Sequence, residues 1–172
     1  MIRVRQGELG RASADAVVRP VRSDGEAVTA VGRRLELAAG PALVARLRTL
    51  GDLPVGGAVI TPGGALPVPF VIHAVVQSTD EPVSALGVQR ALVNALRRAR
   101  DLGLSSVAFP PMGMGAGNLA AEDAARLLVE VLRDHLQGGE DPLVLEVLVE
   151  SGYEEELFTR ELAAEGRAGG AR

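Results

Sequence analysis

Ser106-Val107-Ala108-Phe109-Pro110-Pro111-Met112-Gly113-Met114-Gly115-Ala116-Gly117-Asn118-Leu119 contains the repeating unit of the fold in miniature. Its first four residues form an apolar run that reads as a buried strand. From Leu119 to Leu136 follows an amphipathic stretch that reads as a helix, with Ala124, Leu127, Leu128, Val131 and Leu132 inward and a stop at Gly138-Gly139. Three glycines at alternate positions join the two and leave backbone N–H groups unscreened by side chains. The helix N-terminus adds its own unpaired donors, so the junction suits an anion such as a diphosphate. The same glycines also suit a tight turn that needs left-handed dihedrals, and spacing alone leaves both readings open. The run is not the dinucleotide fingerprint G-x-G-x-x-G, because Asn118 stands where the third glycine belongs. It is not a P-loop either, because no Lys-Ser or Lys-Thr follows.

Away from this junction the chain alternates in kind. Strand-like segments fall at Ile2–Gln6, Ala16–Val18, Ala58–Thr61, Phe70–Val76, Ser106–Phe109 and Leu143–Val149. Those at Phe70–Val76 and Leu143–Val149 are nearly continuous apolar runs, the pattern of strands buried on both faces. Helical patterns lie between them: Ala27 to Ala39, then Ala42 to Leu50 after Gly40-Pro41, then a helix capped by Ser84 with Leu86, Val93 and Leu96 as its apolar stripe, and a last one from Tyr153 to Ala163. Alternating strands and helices with short connections predict an α/β fold: a three-layer α/β/α sandwich around one mixed, mostly parallel sheet of about six strands. Ligands of open α/β sheets collect beyond the carboxyl ends of the strands, where the loop after Phe109 lies, which favours the anion-site reading. Residues 1–163 read as one domain, and 164–172 as a disordered tail with nothing to bury.

Composition narrows the function classes. At 172 residues the chain can bury about 70% of its unfolded surface. Its 18 basic against 22 acidic side chains argue against a sequence-independent nucleic-acid or anionic-membrane binder. The absence of cysteine removes disulfides, thiolate catalysis and cysteine-rich zinc sites, and two histidines are too few for most other zinc constellations. With three Phe, one Tyr and no Trp there is no cluster for stacking single-stranded bases. No apolar run approaches the ~20 residues that span a bilayer. The amino end alternates like a strand rather than a signal peptide, so a cytoplasmic protein without cofactor or metal is the expectation.

Several further segments carry a family resemblance. Leu53-Pro54-Val55-Gly56-Gly57-Ala58-Val59-Ile60-Thr61-Pro62-Gly63, then Leu66-Pro67 and Phe70-Val71-Ile72-His73-Ala74-Val75, resemble the glycine-led strand, Thr-Pro-Gly, Leu-Pro and Val-Ile-His strand of the macrodomains. Val107-Ala108-Phe109-Pro110 with its glycine loop is similar to that family's Ala-Phe-Pro strand and phosphate loop. Gly7-Glu8-Leu9 stands where the family has Gly-Asp-Ile, Asp15-Ala16-Val17-Val18 matches the next strand, and Ala38-Ala39-Gly40-Pro41-Ala42-Leu43 fits its first helix. The resemblance implies a domain that binds ADP-ribose and that in some branches hydrolyses its esters. Departures cluster in the first ligand loop. Arg19-Pro20-Val21-Arg22 replaces Asn-Ala-Ala-Asn, whose last Asn contacts the distal ribose in the family, and the region of Ala27-Val28-Thr29-Ala30 lacks the family's glycine run.

On this resemblance the ligand-contacting residues are Glu8, Leu9, Arg22, Phe109, Gly113, Met114, Gly115, Ala116, Gly117 and Asn118. Glu8 would accept from an adenine amino group, or it is a solvated glutamate at a strand end. Gly113 to Gly117 would donate amides to a diphosphate, with Met114 in the place of a threonine common in the family. Asn118 reads better as the cap of the helix beginning at Leu119. Phe109 lies beneath the ligand or in the core. Arg19 and Arg22 either pair with ligand oxygens or are loop arginines facing Asp24 and Glu26, and the surface reading is the base case. His73, inside an apolar strand, reads as structural. His135 complements a helix C-terminus, and Glu154-Glu155-Glu156 complements the start of the final helix.

Three functions follow: a binding module for ADP-ribose or a related nucleotide diphosphate without efficient catalysis, a hydrolase of ADP-ribosyl or O-acetyl-ADP-ribose esters, or a degenerate macrodomain kept as a structural or interaction unit, possible as a homo-oligomer. The retained glycines of the second loop favour the first.

Overall fold

The computed structural model describes residues 1–115 and 118–168. Six strands form one sheet in the order β1-β6-β5-β2-β4-β3: β1 (Ile2–Gln6), β2 (Ala16–Arg22), β3 (Ala58–Pro62), β4 (Phe70–Gln77), β5 (Ser106–Phe109) and β6 (Val144–Val149). Every pairing is parallel except that of β3 with β4. The helices are α1 (Ala30–Ala39), α2 (Pro41–Arg48), α3 (Ala85–Asp101), α4 (Ala121–Gln137) and α5 (Gly152–Ala168), with a short 3-10 turn at Leu9–Arg11. The α/β sandwich expected from the sequence is the fold observed. Its last helix runs five residues past the expected domain end at 163, and Gly169–Arg172 lie outside the described residues.

Strand alternation divides the apolar residues between two layers. Val18, Ile72, Val107, Phe109 and Val147 pack against Val88, Leu92, Leu128 and Leu132 on the side covered by α3, α4 and α5. Val17, Val71, Ala108 and Leu148 pack against Leu9, Leu35, Leu43 and Leu47 on the side covered by α1 and α2.

Several details differ from expectation. β2 continues through Pro20 to Arg22 instead of stopping at Val18. A proline is admissible there because the Pro20 carbonyl points away from β4 and accepts from Val28 N at 3.4 Å. The absent N–H lies on that same side and removes no β4 ladder bond, and β5 pairs only with Ala16 and Val17. Helix α1 begins at Ala30, three residues later than Ala27, because the Thr29 hydroxyl accepts from Gly32 N at 3.0 Å and caps the first turn. In α3 the buried stripe is Val88, Ala91, Leu92, Ala95, Leu96 and Ala99. Leu86 and Val93 turn outward, so the stripe read from the sequence holds only at Leu96. Ser84 caps α3 as expected, accepting from Gly87 N at 3.0 Å.

Candidate functional site

β1, β6 and β5 end side by side, and their carboxyl ends open into a trough roofed by α1. One end holds about 560 Å³ and is lined by Glu8, Leu9, Arg11, Arg34, Leu66 and Glu150 among others. The other end holds about 310 Å³ and is lined by Thr29, Pro111, Met114, Gly115 and Leu148 among others. Val31 and Glu150 border both, so the two hollows adjoin. This is the place where an α/β sheet is built to receive a ligand.

The glycine loop forms the wall at the second end. Gly113 and Gly115 have φ of 80° and 124°, conformations open to glycine and strained for other residues. A Cβ on Gly113 would come within 3.1 Å of Val88 and 3.2 Å of Leu119, so that position is closed to side chains for packing reasons as well. The loop is tied through its carbonyls: Gly113 O accepts from Leu119 N at 2.9 Å and Gly115 O from Asn118 N at 3.1 Å. Among the described residues, no backbone carbonyl accepts from the amides of Gly113 or Met114. Met112 is buried in the core and does not obstruct the trough, whereas Met114 packs partly on the core and partly lines the hollow. Ala116 and Gly117, expected to contact ligand, lie outside the described residues.

The remaining expected contacts are placed unevenly. Glu8 and Leu9 line the trough, Leu9 from the smaller core and Glu8 as an exposed carboxylate paired with Arg11 at 3.1 Å. Phe109 does not face it. The side chain is fully buried on the opposite face of the sheet, because position 109 shares the parity of Val107 and not of Ala108. Arg22 lies outside both hollows and is paired with Asp24, whose carboxyl that hydrogen bond holds below the usual range. Asn118 is not the helix cap: α4 starts at Ala121 after Ala120, and the Asn118 amide instead donates to Met114 O at 3.3 Å, bracing the loop.

Arg19 overturns the expectation of a surface group. It is wholly buried, since β2 carries it under α1 with the parity of Val17. Its guanidinium donates to Gly25 O at 3.1 Å, to Gly32 O at 3.4 Å and to the Glu36 carboxylate. It also meets His73 Nδ1 at 3.3 Å. Arginine has only donors, so Nδ1 accepts, the proton resides on Nε2, and Nε2 donates to Thr61 Oγ1 at 2.8 Å. Burial first, and the Arg19 charge second, push the His73 pKa down to about 3, so the ring is neutral. Among the described residues no buried side-chain polar atom lacks a partner. His73 is thus structural, as expected.

Other residues of the trough went unread in the sequence. Arg34 of α1 reaches across it to Glu150 at the end of β6, and the Glu154 carboxylate accepts from Glu150 N at 3.0 Å. In the sequence Arg33-Arg34 looks like any solvated helix face, and only the docking of α1 distinguishes the second arginine. His135 sits near the α4 C-terminus as expected and also donates through Nε2 to Pro142 O at 3.0 Å.

The Macro domain family model matches residues 18–128. This chain belongs to the Macro domain family. Among its relatives is an uncharacterized protein of Aeropyrum pernix, 36% identical over 129 residues, covering 73% of this chain and 67% of that protein. An uncharacterized protein of Mycobacterium tuberculosis is 30% identical over 146 residues, covering 85% of this chain and only 41% of its own longer sequence. The fold matches that of a glycine-to-valine variant of the Oceanobacillus iheyensis macrodomain with ADPR, with a TM-score of 0.86 and 21% identity over 95% of this chain and 92% of that one. It also matches the Trypanosoma brucei macrodomain in complex with ADP, with a TM-score of 0.83 and 19% identity over 94% and 68% of the two chains. Among the described residues of this macrodomain, no helix is long and apolar enough to cross a membrane.

Proposed function

We propose that this macrodomain is a binding module for a nucleotide diphosphate of the ADP-ribose type and that it binds without efficient turnover. The observation that carries the reading is the glycine loop. Two positive-φ glycines, Gly113 and Gly115, tie the loop by their carbonyls, and its Met114 and Gly115 form part of the wall of a trough at the carboxyl ends of β5 and β6. Backbone amides in such a loop are groups that bind phosphate oxygens. The solved macrodomains with ADPR and with ADP share the fold and point the same way.

The case against turnover rests on how the ionisable groups near the site are engaged. Glu8 stands at the end of the trough away from the glycine loop and Glu150 is paired with Arg34, while the neutral ring of His73 is locked between Arg19 and Thr61 beneath α1. A general base must reach the proton it removes, and these groups are committed elsewhere. A thermal-shift panel of ADP-ribose, NAD, ADP, AMP and phosphate tests the reading. A ligand at a hundredfold excess over its Kd adds about 2.7 kcal/mol of stability, so the diphosphates raise Tm while phosphate does not. A flat response to all five contradicts it, and so does appearance of free ADP-ribose from an ADP-ribosylated protein.

A further inference from the structure

The space beyond the carboxyl end of β2, at the centre of the sheet, is occupied by the chain itself. After Arg22 the backbone turns back on the strand: Arg22 N donates to Glu26 O at 2.8 Å, Gly25 N to Arg22 O at 2.8 Å, and Val28 N to Pro20 O at 3.4 Å. Val21 and Ala27 form an antiparallel bridge. The turn is tied sideways as well, with Ser23 N donating to Gln77 O at 2.9 Å and Leu53 N to Ser23 O at 2.8 Å. From below, the buried guanidinium of Arg19 takes the carbonyls of Gly25 and Gly32, while Glu36 balances its charge. The first turn of α1 rests directly on this strut. A Cβ on Gly32 would lie 3.2 Å from Thr29 Oγ1 and 3.7 Å from Arg19 Cγ, so no gap remains between helix and strand. The donors that a helix N-terminus would present are partly spent inward, Gly32 N on the Thr29 hydroxyl.

We propose that the trough ends at the diphosphate: the group it recognises is a nucleoside diphosphate, and whatever is esterified to the second phosphate projects into solvent past Thr29 and Met114. This rests on the reading of the trough as a nucleotide site and narrows its ligand. A compound carrying a second sugar gains no further contact, because the trough over β1, β6 and β5 cannot continue across the next strand, β2, whose carboxyl end is covered by the 23–28 turn.

Calorimetric titration of the full chain with ADP, ADP-ribose and AMP separates the two levels of the claim. The expected result is that ADP and ADP-ribose bind with Kd values within about threefold of each other, and that AMP binds roughly tenfold or more weakly. ADP-ribose binding more than about tenfold tighter than ADP overturns the inference while leaving the nucleotide reading intact. AMP binding as tightly as ADP overturns the placement of the diphosphate on the glycine loop. Absence of heat with all three overturns the nucleotide reading and the inference with it.

Discussion

His73 gives the molecule a pH dependence that can be read in advance. Its folded pKa of about 3 lies below the ordinary histidine value of 6.5, so the unfolded chain binds the proton more readily across that interval. The stability contributed by the neutral ring is fully present above pH 6.5 and is lost as the pH falls through the interval toward 3. The slope approaches about 1.4 kcal/mol per pH unit for this one group. Urea denaturation at pH 7, 5.5 and 4 should show it, and His73→Asn, which keeps an acceptor for Arg19 and does not titrate, should flatten it. Identical slopes in both proteins would refute the assignment. Arg19 is the companion case. Arg19→Met strands the Glu36 carboxylate and the carbonyls of Gly25 and Gly32 and should cost about 3 kcal/mol, whereas adding Glu36→Leu should recover part of the loss. Chemical denaturation of the single and double variants checks this, and additive losses would contradict the pairing.

At the scale of elements, the 23–28 turn after β2 is pinned from both ends, and the cap of α1 is one of the pins. Thr29→Ala should lower stability by about 1 kcal/mol, measured by thermal unfolding, because Gly32 N loses its partner at the start of α1. Most of the architecture was legible in the sequence. Continuous apolar strands at Phe70–Val76 and Leu143–Val149, the Ser84 cap and the Gly138 stop each follow from local chemistry. What was hidden depended on tertiary placement. The end of β2 was misread because Arg-Pro-Val-Arg has the composition of a loop, and only the counter-charge of Glu36 from α1 makes a buried arginine tolerable there. The α3 stripe was misassigned because alanines carry the buried face while Leu86 and Val93 lie outside it. Of the candidate site, Glu8 and Leu9, read from the family resemblance, and Met114 and Gly115, read from the glycine pattern, lie at the trough, whereas Gly113 faces Val88 and Leu119. Phe109 and Arg22 were misplaced, since a residue's parity in a strand and the ion pair it prefers are settled only once neighbours are in place.

For the whole molecule, parallel order is what gathers the site. Because β1, β6 and β5 run the same way, Gly7-Glu8-Leu9, Glu150 and the glycine loop all emerge on one edge, and α1 closes the trough above them. Nothing in that arrangement requires the carboxyl end of β2 to stay open, and there the 23–28 turn folds back on the strand. The account therefore stands on the glycine loop as an anion seat. Its most direct test is calorimetric titration of ADP into the wild type, Gly115→Ala and Gly115→Glu, with the Tm of each recorded to confirm folding. Both variants bear the same backbone strain at φ 124°, and only glutamate brings a negative charge to the wall. The expected result is saturable binding to the wild type, weaker but measurable binding to Gly115→Ala, and none to folded Gly115→Glu. Equal affinity of Gly115→Glu and the wild type, or no heat from the wild type at millimolar ADP, would contradict it.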